Sequence, residues 1–120
     1  MNNTDTSNQE LIKKAYDAFN ARDIDGVLIL MHPNVHWPNG WEGGYVEGHG
    51  QVRDYWTRQW AELNPRVIPV SFTQMEDGRV ETEVQQTVKD LRGNLLFDGL
   101  VKHTYSISDG LIMSMEIVKM

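Results

Sequence analysis

At 120 residues with 40% apolar side chains, the chain suits one domain with a single core and is short for two. The absence of cysteine excludes disulfides, thiolate metal sites and cysteine nucleophiles. A formal net charge of −6 argues against nucleic acid, which is gripped by clustered Lys and Arg that displace its counterions.

Residues 1–7 read as a short, polar, frayed start, and 8–120 as one domain. The start carries Asp5 and Glu10 in place of a basic stretch followed by an apolar run, so it does not resemble a secretory signal. No segment offers the roughly 20 apolar residues that cross a bilayer. A soluble, cytoplasmic protein without membrane contact is expected.

Ser7 followed by Glu10 matches a capping box, so a helix is predicted to begin there. Leu11, Ile12, Ala15, Ala18 and Phe19 recur at helical spacing on one face, opposite Lys13, Lys14 and Asp17, and the helix should end near Arg22. Asp23 can cap a second short helix through Val27 to Met31, which Pro33 stops. Val35 to Trp37 reads as a strand.

From Pro38 to Gly50 the chain holds five glycines and one proline, a loop of the kind that often borders a site. Val52, Tyr55, Trp56, Trp60 and Leu63 then give a third helix a wide aromatic face, ended by Pro65. Four Trp in one short chain supply core packing, and such rings also line ligand pockets.

The second half changes period from helical to alternating. Ile68, Val70 and Phe72 alternate within 66–75, and Val80, Thr82, Val84, Gln86 and Val88 alternate against Glu81, Glu83, Gln85 and Thr87. Segments 95–108 and 111–120 continue the pattern. Turn signals stand between these strands at Asp77-Gly78, Arg92-Gly93-Asn94 and Asp109-Gly110. Three helices and a short strand thus precede a four-stranded meander, and an α+β fold with a curved sheet wrapped on the helices buries the apolar faces economically.

This order of elements resembles the nuclear transport factor 2-like superfamily, which includes the SnoaL-like proteins and ketosteroid isomerases. The local words are also similar: the run from Ala18 to Asp25, the strand Val35-His36-Trp37-Pro38, and the last hairpin from Ser108 to Ile112. The resemblance implies a cone-shaped α+β barrel, with three N-terminal helices on a strongly curved, mostly antiparallel sheet. It says little about activity, because many activities share the frame.

The ketosteroid isomerase branch carries a general-base Asp in the first strand just before a Pro, a position held here by Trp37. Its oxyanion Tyr falls on Ala15, with Tyr16 one position off and rotated by about 100°, and its protonated oxyanion Asp falls on His103. Steroid isomerisation by that mechanism is therefore not expected. Nor does the Asp-Arg-Asp relay of the superfamily's epoxide hydrolases appear at pocket-facing positions.

Strand alternation places Phe97, Gly99, Val101, His103 and Tyr105 on one face, and Val84, Gln86 and Val88 on one face of the partner strand. A hairpin between them would set Gln86 about one diagonal neighbour from His103. His103 and Gln86 are the candidate catalytic residues, since a pocket histidine titrates near neutrality. The expected ligand pocket is lined by Tyr16, Trp37, Tyr55, Trp56, Trp60, Val84, Val88, Val101, Tyr105 and Met115.

His32 and His36 are four apart but Pro33 breaks the helix between them. Adding His49 brings no carboxylate at ligand spacing, so no metal site is expected. No cofactor is expected either. Arg53, Asp54, Glu42 and Glu47 read as solvated or loop polar groups, and Asp98 and Glu116 as outward-facing. An outer face with Thr87, Lys102, Thr104 and Glu116 suits a homodimer. Two functions remain open from the residues: acid/base chemistry on a small, largely apolar molecule through His103, or a binding or carrier domain without chemistry.

Overall fold

The computed structural model describes residues 3–119. The elements run α1 (Asn3–Asn20), α2 (Ile24–Leu28), β1 (Met31–Pro38), β2 (Tyr45–Glu47), α3 (Gly48–Trp60), β3 (Leu63–Gln74), β4 (Val80–Asp90), β5 (Leu95–Ser108) and β6 (Leu111–Lys119). One six-stranded sheet takes the order β2-β1-β6-β5-β4-β3. Only β1 and β6 pair in parallel; the other neighbours are antiparallel. The sheet curves around the helices but does not close, since β2 and β3 remain edges, so the expected barrel is an open one.

Local structure departs from the sequence expectation at the element ends. Helix α1 is already formed at Asn3, so Ser7 is an interior helical residue and not a cap; no Pro or Gly between Asn3 and Ser7 interrupts the turn. Of the expected frayed start, Met1 and Asn2 lie outside the described residues. The Asp23 cap is present, with its Oδ1 accepting from Gly26 N at 3.0 Å. A Cβ at Gly26 would stand 2.3 Å from the Asp23 carboxylate, so this cap requires glycine there.

Strand β1 begins at Met31, ahead of the expected Val35. Pro33 does not stop a helix but lies within the strand, where the β1–β6 register is interrupted between Met31 and His36 and the missing N–H costs no ladder bond. Leu63 and Pro65 likewise belong to edge strand β3 and not to α3. A bulge between Pro69 and Ser71 rephases β3, so Pro65 and Val67 are buried and Phe72 is half-buried, while Ile68 and Val70 turn to solvent. The expected face of Ile68, Val70 and Phe72 is therefore split.

Helix α1 crosses the concave side of the sheet and is pinned to its open edge. The Asn20 side chain donates to Val67 O at 2.7 Å and accepts from Val67 N at 3.0 Å, satisfying backbone groups that an edge strand leaves free. Asn20→Ala removes both bonds and is expected to cost about 1–2 kcal/mol, read as a lower urea midpoint at unchanged slope. An unchanged midpoint would show that the clamp contributes nothing.

Ile12, Val27, Met31, Val35, Val52 and Ile112 are fully buried and form the packed end of the molecule. On β4, Val80, Thr82 and Val84 are buried in that packing, whereas Gln86 and Val88, farther along the same face, line a cavity.

Candidate functional site

The inward alternation of β5 carries Phe97, Gly99, Val101, His103 and Tyr105 toward the helices, with Val101, His103 and Tyr105 buried. Tyr16 reaches the same place from α1. The Tyr105 hydroxyl donates to the Tyr16 hydroxyl at 2.7 Å, which leaves the Tyr16 proton for His103 Nδ1 at 2.8 Å. A neutral imidazole accepting at Nδ1 carries its own proton on Nε2. Nε2 has no hydrogen-bond partner among the described residues, and His103 lines the cavity.

Burial fixes the protonation of all three groups. His103 is 6% exposed, and desolvation pushes its pKa down from 6.5 to about 4, so it is neutral at physiological pH. Burial pushes the Tyr16 phenol well above its ordinary value, with Tyr105 adding to the effect. The Tyr105 phenol is also raised by burial, partly offset by its bond to Tyr16. The chain is thus a row of neutral donors ending on an imidazole N–H.

The cavity holds about 960 Å³. Trp37 from β1 and Tyr55 and Trp56 from α3 form its aromatic wall, with Trp37 and Trp56 edge to face at 5.7 Å. Val88, Val101 and Met115 form the sheet side. Two expected wall residues do not line it. Val84 is fully buried opposite Val101, and Trp60 stands behind Trp56, stacked on it at 5.7 Å, with the Arg22 guanidinium 5.1 Å from its ring.

The expected Gln86–His103 pair is not formed. In the β4–β5 register His103 faces Thr82 and Gln86 faces Gly99, a separation of four residues, or about 13 Å along the strand. Gln86 lines the cavity, but apart from the imidazole. The residue that holds His103 is Tyr16, which the family comparison had set one position off in favour of Ala15. Both face inward, because a helix buries a stripe wide enough for adjacent residues.

Several contributors were not singled out from the sequence. Phe19, one turn beyond Tyr16, lines the cavity, as do Val67, Leu96 and Gln59; Phe19 had a signal in its helical spacing, the others did not. Buried Asn39 folds the glycine-rich loop by accepting from Trp41 N and Glu42 N at 3.2 and 2.7 Å. Glu42, a polar candidate, accepts from Asn39 and from Arg58 and ties that loop to α3.

Arg53 pairs with Asp25 at the surface, and Asp54 is exposed. Glu47 lies 3.3 Å from His36 Nδ1, whose ring stacks on Tyr45 at 4.3 Å. Asp98 faces outward and accepts from Gln85 at 2.7 Å. Glu116, opposite Thr104, accepts from the Tyr45 hydroxyl at 2.7 Å. His32, His36 and His49 do not converge; no cluster of three metal-ligating side chains occurs among the described residues.

The model of the SnoaL-like domain family matches residues 12–115. Among curated proteins, none matches the chain in sequence. The crystal structure of TerC, co-crystallised with polyporic acid, is 30% identical over 95% of this chain and 92% of its own, at a TM-score of 0.82. A protein of unknown function from Burkholderia pseudomallei, described as NTF2-like, is 21% identical over 95% and 91% of the two chains, at 0.81. RV0760c from Mycobacterium tuberculosis, in complex with estradiol-17beta-hemisuccinate, is 17% identical over 89% and 88%, at 0.77. These last two likenesses are of fold alone.

Proposed function

The chain belongs to the SnoaL-like domain family, and from that premise we propose that its cavity binds a small, largely apolar, ring-bearing molecule whose carbonyl or hydroxyl oxygen accepts from His103 Nε2. The observation that carries this reading is the Tyr105–Tyr16–His103 chain, which ends on a donor without a protein partner inside an aromatic-walled cavity. Because His103 lines the cavity, a ligand oxygen entering there gains a hydrogen bond from Nε2–H in surroundings of low polarity. Supporting this reading, TerC was crystallised with polyporic acid.

For acid/base chemistry without a cofactor, the arrangement supplies a charge-stabilising donor and not the base. A base with a pKa of about 4 takes up protons poorly at neutral pH, so His103 acts as a hydrogen-bond donor that holds negative charge developing on the ligand oxygen. Each phenol in the row strengthens the next donor, and low local polarity makes that stabilisation large. A second reading, binding without turnover, is favoured by Trp37 standing before Pro38, since it puts an indole where a carboxylate base would face the ligand.

Tryptophan quenching tests the site, with polyporic acid as the first probe. His103→Leu, its fold checked by circular dichroism, is expected to weaken binding about tenfold, the worth of one buried hydrogen bond. Equal affinity of variant and parent would overturn the role given to His103. Of the expected outer-face residues, Thr104 is buried, while Thr87, Lys102 and Glu116 remain half-buried and leave that side of the sheet suited to a homodimer, which sedimentation would show as twice the chain mass.

A further inference from the structure

Gln86 is a polar residue of the cavity wall that the His103 site does not use. Its side chain shares the inner face of β4 with Val84 and Val88 and faces Val67 on β3 and Gly99 on β5. All four neighbours are apolar or lack a side chain. Gln85, the adjacent residue, turns outward and is satisfied by Asp98. The Gln86 amide has no hydrogen-bond partner among the described residues, although it lines the cavity.

Gln86 is half-buried, so its amide, with two donors and one acceptor, is open to the cavity and available to a ligand. Gly99, opposite Gln86, contributes no side chain, and the position its Cβ would take is 3.2 Å from the tip of the Phe97 ring. The tip of the Phe97 ring therefore reaches over Gly99, and Phe97, which is partly exposed, lines the same cavity.

We infer that Gln86, with Gly99 and Phe97, forms a second polar subsite, and that the ligand is an elongated, flat molecule with an oxygen function at each end. This rests on the reading of the cavity as a ligand site. One oxygen accepts from His103; the other meets the Gln86 amide about 13 Å farther along the sheet, with the ring next to it against Phe97. The specificity that follows is for length and for two polar ends, over molecules with one polar end and a bare apolar tail.

Calorimetric titration of 4,4′-dihydroxybiphenyl and 4-hydroxybiphenyl into the parent protein and Gln86→Leu separates the two ideas. The expected result is that Gln86→Leu weakens the diol about fivefold, as for one hydrogen bond exchanged with water, and leaves the mono-hydroxy compound unchanged. If the substitution affects both compounds equally, or neither, the second subsite is wrong while the His103 site stands. If neither compound binds the parent protein, the cavity reading fails and this inference with it.

Discussion

Between pH 6.5 and pH 4 the folded protein is expected to lose about 3 kcal/mol of stability through His103 alone. In the unfolded chain this histidine takes a proton near its ordinary pKa of 6.5, whereas burial holds it neutral in the folded protein down to about 4. Throughout that window the unfolded state binds the extra proton, so stability falls as pH falls. Above the window neither state is protonated and below it both are, and the slope vanishes. Carboxylates titrate in the same range, so the measurement is a difference: urea unfolding of the parent and of His103→Gln at pH 7 and pH 4. The parent should lose about 3 kcal/mol more than the variant. Equal losses would mean that His103 is protonated, or wet, in the folded state.

Tyr16→Phe is expected to cost about 3 kcal/mol in the same assay, without leaving a cavity, because it strands two groups at once. His103 Nδ1 loses its donor and the Tyr105 hydroxyl loses its acceptor, and both sit in buried surroundings. Tyr105→Phe is the informative contrast. It removes the outermost donor while Tyr16 can still donate to Nδ1, so it should cost about 1 kcal/mol. The reverse order of the two effects would contradict the direction assigned to the chain.

Much of this site was legible in the sequence because side chains alternate along a strand wherever no bulge interrupts it. Once β5 was recognised, His103, Tyr105 and Val101 had to share a face, and the turns at Asp77-Gly78 and Asp109-Gly110 marked where its neighbours ended. Register was not legible. Val88 and Lys89 pair with Phe97 and Leu95, with Leu96 between them as an extra residue. That bulge and the turn length set Gln86 against Gly99 and Thr82 against His103, and sequence alternation carries no information about either.

Helix faces were readable only to within a residue. Ala15 and Tyr16 both fit an inward stripe, and the choice between them depended on what faced the helix, namely the His103 imidazole. Trp60 and Val84 illustrate a different gap: both are inward by periodicity, but whether an inward side chain fills the core or borders a cavity depends on packing across the fold. Pro33 and Pro65 looked like helix stops because proline does stop helices, yet an interrupted register and an edge strand accommodate it equally well.

The His103 imidazole nitrogens can be followed directly by nitrogen-15 NMR during a pH titration, with and without polyporic acid. The expected result is a neutral ring protonated on Nε2 from pH 7 down to about pH 4, with the Nε2 resonance shifting when ligand is added. A ring protonated on Nδ1, or one already charged at pH 6, would contradict a site built on a neutral imidazole that offers Nε2–H to its ligand.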